Sequence, residues 1–324
     1  MMRCAQLIRV NTESVPLRAE FSRNPRVGIL MSTYNGEKYL PEQIDSISAQ
    51  EGVDVELFIR DDGSTDETRQ IIEEMAQSTR GCIRAWHVMF GENIGFLRSF
   101  ESLLFSASGC DFYSFSDQDD IWLPEKTINA TSCIAEADKS PALYASKVEI
   151  VDKELKHIGT NDFPGFQYSI QSEFIRHRLA GHTMLWNDAL QNAIHDFGQL
   201  SCWSHDQHAV IANYIAGGNL YLDSASYVLH RRLESSLTPG GAGASKRLCH
   251  EARFMLNDGR HMNRKQLADE ILALPSVWLS KEERSFLKKC ASERRLSLAC
   301  DPSFDCGLAI GNAEARISLL LGRF

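Results

Sequence analysis

The sequence predicts an α/β fold built on a largely parallel sheet, and two observations predict it. From residue 26 to about 116, short apolar runs alternate with segments whose apolar residues recur at helical spacing. Each apolar run ends in a polar cluster: Ser32-Thr33-Tyr34-Asn35-Gly36, then Asp61-Asp62-Gly63-Ser64-Thr65-Asp66, Asn93-Ile94-Gly95 and Asp117-Gln118-Asp119-Asp120. Strands alternating with helices of this length form right-handed βαβ units. Such sheets bind ligands at the carboxyl ends of their strands, so four polar loops on one edge make a site.

The elements follow in order. Val27 to Ser32 is a buried-strand run, and Leu40, Ile44 and Ile47 mark a helix within 37–50. Val55 to Arg60 is a second strand; Ser64 or Thr65 then caps a helix running to about 78, with Ile71, Ile72 and Met75 on one face. A third strand spans 83–90, a helix 95–108 turns Phe96, Phe100, Leu103 and Leu104 inward, and a fourth strand spans 111–115. Past Pro124 the pattern is mixed: a helix over 125–137, a strand over 143–151, a loop over 153–171 and a short strand over 183–186. Helices over 188–196 and 203–215 and strands over 219–223 and 226–230 complete this part. Further helices are expected around 248–256, 264–274, 281–294 and 309–321.

The 324 residues suit one large domain or a domain with an appendage, and 43% hydrophobic content supports a sizeable core. A net charge of −9 argues against nucleic acid as a partner, because neutralising phosphates needs a basic surface, yet leaves room for one locally held nucleotide. Nine scattered cysteines without a CxxC pair read as reduced thiols of a cytoplasmic protein. No run reaches the ~18 apolar residues of a membrane-spanning helix. The expected division is an N-terminal leader over 1–24, a main domain over 25–237 and a helical C-terminal region over 238–324, entered through the Gly/Ala-rich linker 238–245. Apolar faces in that last region suit packing on the main domain. Its basic clusters, among them Lys288-Lys289 and Arg294-Arg295, would suit peripheral contact with the inner face of the plasma membrane.

Three of the four residues 117–120 are acidic and directly follow an apolar strand. Carboxylates so crowded repel one another unless a cation neutralises them, and Mn2+ or Mg2+ shared with a diphosphate is a common solution. A solvated acidic loop is the alternative. Asp62-Gly63 is a turn signal and Asp66 suits the first turn of a helix, which leaves Asp61 unexplained at the strand tip. There its carboxylate is placed to accept the imide N–H of uracil or thymine. Thr33 and Tyr34 offer backbone groups and a ring to the same base, while Asn35-Gly36 permits a turn with positive φ. His205-Asp206 opens a helix, where Asp206 is either an N-cap or a general base for a sugar hydroxyl.

Taken together, these segments resemble family 2 glycosyltransferases, and within them the bacterial rhamnosyltransferase-type group. Residues 32–40, 61–66, 93–95 and 116–126 carry the likeness in order and at similar spacing, joined by 180–187 and His205-Asp206. The resemblance covers about residues 26–237. It implies a GT-A fold: a Rossmann-like nucleotide-binding half with a mixed central sheet, fused to an acceptor-binding half, in the domain over 25–237. It implies that Thr33, Tyr34 and Asp61 hold the base, with Asn35, Asp62 and Asn93 in the same donor wall. It further implies that Asp117 lies near the ribose, that Asp119 ligates the metal and that Asp206 is the base. One departure concerns the strand that in this group ends in a tyrosine-arginine-glutamine-histidine run. Here the chain reads Val228-Leu229-His230-Arg231-Arg232-Leu233, with the family's histidine position read as Leu233. His230, or Arg231 and Arg232, are then the candidates to supply positive charge to the diphosphate. His182 stands where the group often has cysteine.

The activity so implied is transfer of a sugar such as rhamnose, with inversion, from a dTDP- or UDP-linked donor. The acceptor would be a glycan or lipid-linked acceptor in cell-surface polysaccharide synthesis. A non-catalytic nucleotide-sugar or glycan-binding homologue is the alternative that the Leu233 departure keeps open. A metal-dependent phosphoryl-transfer enzyme is disfavoured. Its nucleophile loop separates two aspartates by one residue, whereas Asp61 and Asp62 are adjacent and would point to opposite faces of a strand.

Overall fold

The computed structural model describes residues 5–12, 21–137, 139–232, 264–275, 277–292 and 295–320. The linker 238–245, the helix expected over 248–256, Leu233 and Arg294 lie outside the described residues.

The alternating segments form the expected βαβ units. Strands β2 (Arg26–Thr33), β3 (Asp54–Asp61), β4 (Ile83–Phe90) and β5 (Phe112–Ser116) are mutually parallel, in the order β5-β2-β3-β4. Helices α1 (Leu40–Ser48), α2 (Thr68–Ala76) and α3 (Phe96–Ser106) connect them. Alternation along β2 sorts its side chains onto two cores: Ile29 and Met31 join Ile44 and Ile72 on one face, while Leu30 joins Phe100 and Phe115 on the other. Register sets the working edge. Thr33 stands opposite Asp61, Asp61 opposite Phe90, and Met31 opposite Ser116, so the polar loops leave the sheet side by side.

The second half makes the sheet mixed. After β6 (Ile121–Trp122) and α4 (Lys126–Ile134) come β7 (Ala142–Val151), β8 (His157–Asn161), α5 (Ile170–Ile175), β9 (Leu185–Asn187), α6 (Asp188–Phe197), α7 (His205–Ile215) and β10 (Asn219–Arg231). Strand β9 runs antiparallel between β5 and β7, β6 antiparallel to β10, and β8 antiparallel to β7. The two strands expected over 219–230 are one strand, β10, whose pairing with β7 shifts register between Asp223 and Leu229. Strands β6 and β8 and helix α5 were not expected. Nor was β1 (Leu7–Val10), which lies inside the presumed leader and pairs in parallel with β10. Asp223 anchors that end: its buried carboxylate accepts from Thr12 N (3.2 Å) and Tyr144 Oη (2.7 Å).

Beyond residue 263 the described residues form helices Arg264–Ala273, Lys281–Ala291, Arg295–Ala299 and Ala309–Leu320. They share a third core with α5 and α7, in which Leu267, Phe286 and Leu319 meet Phe174 and Ile211. Polar ties reinforce it: Trp278 N donates to Ile215 O (2.7 Å), and Tyr214 Oη bonds Glu283. Phe286→Ala should cost about 3–5 kcal/mol, the range for truncating a buried aromatic. Urea unfolding measures it, and a loss under ~1 kcal/mol would mean that this shared core is not packed as described.

Candidate active site

Three separate segments converge at the end of β5. Asp117 leaves the strand directly. The β6–β10 pairing, with Val228 opposite Trp122 and Leu229 opposite Ile121, carries Asp120 to His230. The tight turn Gly181–Thr183, fixed by β9 against β5, brings His182 to the same point. His182 Nδ1 lies 2.9 Å from Asp117 Oδ2 and 3.4 Å from Asp120 Oδ2. His230 Nδ1 lies 2.8 Å from Asp120 Oδ1, and the two imidazoles stack with centroids 4.8 Å apart. One ligand atom from each of these four residues lies within 4.8 Å of the others.

The electrostatics of the cluster fit a divalent cation. Burial and the charges of Asp120 and Asp117 push the Asp119 carboxyl up to about 7. Burial alone would lower His182, but Asp120 and Asp117 override it and raise the imidazole to about 9. Asp120 Oδ2 and His182 Nε2 are both buried without a hydrogen bond. Protons therefore occupy a place that a divalent cation can take. Asp119, expected to ligate the metal, stands outside the four converging groups, and Asp120, given no role from the sequence, is at their centre. On β10 the side chain that meets this cluster is His230, which the sequence offered as a substitute positive charge.

The other expected donor residues mostly hold loops to one another. Asp61 is fully buried; it pairs with Arg69 (2.6 Å), accepts from Ser64 N (3.1 Å) and lies 3.4 Å from Thr33 Oγ1. Asp62 pairs with Arg60 and accepts the backbone N–H groups of Ile94 and Gly95, each at 2.9 Å. It thus binds the Asn93 loop to the sheet; its carboxylate is enclosed, whereas Asn93 is exposed. Asn35 takes the expected positive φ, 47°, and its Oδ1 accepts from Thr65 N (2.9 Å). Tyr34 presents a half-exposed ring while Gln118 grips its peptide on both sides, accepting from its N–H (2.9 Å) and donating to its carbonyl (3.1 Å). Arg231 does not reach the His230 side of β10. Its guanidinium pairs with Glu42 (2.7 Å) and lies over the Tyr39 ring, so a diphosphate contact would have to displace Glu42.

Asp206 sits in the first turn of α7, capped by Ser204. Its Oδ1 accepts from Gln207 N (2.9 Å) and its Oδ2 from Gly181 N (3.3 Å). A Cβ at Gly181 would lie 2.8 Å from His205 Nε2 and 3.2 Å from Asp206 Cβ, so only glycine allows this approach. The next residue after Gly181 is His182 of the cation cluster. One turn therefore ties the base candidate to that cluster.

Known proteins agree with this geometry. The family model for glycosyl transferase family 2 matches residues 28–186. The dTDP-rhamnosyl transferase RfbG of Shigella flexneri is 30% identical over 223 residues, 64% of this chain and 72% of that protein. The structure of S. aureus TarS 1–349 in complex with UDP-GlcNAc superposes with a TM-score of 0.56 at 20% identity, covering 91% of this chain and 79% of that one. Mannosyltransferase PcManGT of Pyrobaculum calidifontis, in complex with GDP-Man and Mn2+, gives 0.51 at 14% identity, covering 93% and 75%. The chain belongs to glycosyl transferase family 2. Its fold is the expected GT-A fold, with C-terminal helices added, and it is a glycosyltransferase. Among the described residues no helix is long and apolar enough to cross a membrane.

A cation entering the cluster must displace the proton on His182. Mn2+ affinity should therefore fall as pH drops below about 9, by up to ~10-fold per pH unit for each proton displaced. Calorimetric titration across that range reads the slope; an affinity independent of pH would remove the imidazoles from the ligand set.

Proposed function

We propose that this chain is an inverting, cation-dependent glycosyltransferase. It takes a sugar, with rhamnose the first to test, from a dTDP- or UDP-linked donor. It passes the sugar to a hydroxyl of a glycan or lipid-linked acceptor of cell-surface polysaccharide synthesis, at the cytoplasmic face of the membrane. The observation that carries the reading is the Gly181-His182 turn, whose backbone N–H meets Asp206 and whose imidazole meets Asp117 and Asp120. This contact supports reading proton acceptor and diphosphate grip as neighbours in one site. The rhamnosyl donor and the Mn2+ in the names of similar proteins support the choice of donor class and metal.

Asp117, Asp120, His182 and His230 would hold the cation, with the Asp119 carboxyl at their rim. When bound, it neutralises the charge that builds on the departing diphosphate. The Tyr34 ring and the loop fixed by Asn35 and Asp61 form the wall for the base. Asp206 takes the proton of the acceptor hydroxyl as that oxygen bonds to the anomeric carbon and the bond to the diphosphate breaks. A single displacement from the opposite face inverts the centre, as in the inverting geometry of glycoside hydrolysis, so no nucleophilic carboxylate is needed.

Asp206→Asn should keep donor binding while transfer falls ~10²–10⁴-fold, the usual contribution of general-base catalysis. A donor screen by mass spectrometry with Mn2+ reads both quantities, and transfer at wild-type rate would place the base elsewhere. Asp120→Asn should abolish metal-dependent transfer, whereas Asp119→Asn should retain part of it. The reverse order of loss would return the principal ligand role to Asp119.

A further inference from the structure

Behind Asp206 lies a buried charge pair that the transfer reaction, as described, leaves without a task. Glu173, near the end of α5, is 1% exposed. Its Oε2 lies 2.6 Å from His177 Nδ1. The other ring nitrogen, Nε2, lies 3.5 Å from Asp206 Oδ2, an ion-pair contact with no other hydrogen bond to that nitrogen. The imidazole thus stands between two carboxylates supplied by different helices.

We propose that His177, braced by Glu173, is the positioning residue for Asp206: it fixes the Oδ2 edge of that carboxylate and balances its charge. The proposal rests on Asp206 being the base. Two carboxylates facing each other across a cavity without a cation share a proton, because both cannot ionise at close range. A half-protonated Asp206 is no base. With His177 charged between them, Asp206 stays ionised. Burial would raise Asp206, yet His177 holds it well below the usual carboxylate range, and the two carboxylates hold His177 charged against its own burial.

The two neighbours of Asp206 on its own segment, His205 and Cys202, cannot take this part. His205 is adjacent to Asp206 in sequence, but its ring stacks on Phe100 at 3.9 Å, lies edge-on to Phe115, and burial pulls its pKa down, so it is neutral. The Cys202 thiol, on the loop before α7, is held protonated by burial. During transfer the acceptor proton goes to Asp206, and His177 keeps its own.

The test uses the full-length protein with Mn2+ and the donor identified in the screen. His177→Asn should leave the donor KM within about twofold and lower kcat at about pH 6.5 by ~10-fold or more, with the acidic limb of the pH profile moved up by several units, to about pH 7.5. Activity should return at about pH 8.5, which a merely structural defect would not allow. His177→Lys, which keeps a cation there, should keep the wild-type limb; His177→Gln serves where the asparagine variant does not fold. An unmoved acidic limb in a folded His177 variant, beside an inactive Asp206→Asn, overturns this proposal alone. Transfer surviving in Asp206→Asn overturns the base assignment and the proposal with it.

Discussion

Repulsion among the carboxylates at the end of β5 is the constraint on which the rest of this site depends. Asp117, Asp119 and Asp120 lie within four consecutive positions, and Asp120 is almost fully buried. Burial makes each charge more costly, since less water screens it. The chain meets that cost by delivering two imidazoles from distant segments, and the cross-strand pairing of β6 with β10 exists at the point where one of them arrives. Lys126, buried under the same loop against the Trp122 ring at 3.6 Å, adds a further amine, although burial pulls it down to about 7. Without a cation, protons on His182 and Asp119 do the neutralising. Those protons stand where a divalent cation would neutralise the same charges.

A second consequence follows for the loops. A donor pocket at the edge of a parallel sheet must be made from segments with no regular hydrogen-bond ladder between them. Here polar side chains supply that ladder: Gln118 to the Tyr34 peptide, Asn35 to Thr65, Asp62 to the Ile94 and Gly95 amides. Each enclosed carboxylate or amide satisfies backbone groups that would otherwise be orphaned. Residues that look like ligand contacts in the sequence are therefore, in several cases, the stitches that give the ligand a rigid wall.

This explains which parts were legible in the sequence. The βαβ half was readable because β2, β3 and β5 are largely buried on both faces and its helices repeat at a regular period. Strand β1 was not, since four residues flanked by polar ones acquire meaning only from β10 alongside them. Strand β6 has two residues and β8 is half exposed, so neither leaves a pattern. The acidic cluster was visible, but its division of labour was not. That Asp120, rather than Asp119, meets His182 and His230 depends on strand pairing rather than on local spacing. His177 was hidden for the same reason, because its partner Asp206 comes from another helix.

The C-terminal helices gain a role from this geometry. Residues 28–186 carry the family match, yet Asp206 and His230 come later in the chain, and α5 and α7 are gripped from behind by segments later still. Arg264 Nε donates to Phe174 O at 2.6 Å beside Glu173, and Glu270 accepts from Ser201 N and Oγ, both at 2.7 Å, just ahead of α7. These contacts fix the two helix ends between which His177 sits. A pair held only at 3.5 Å tolerates little relative movement, because the ion-pair energy and the carboxylate orientation both decay as the helices part. The region that looked like an appendage is therefore the outer wall of the side of the site that holds Asp206 and His177.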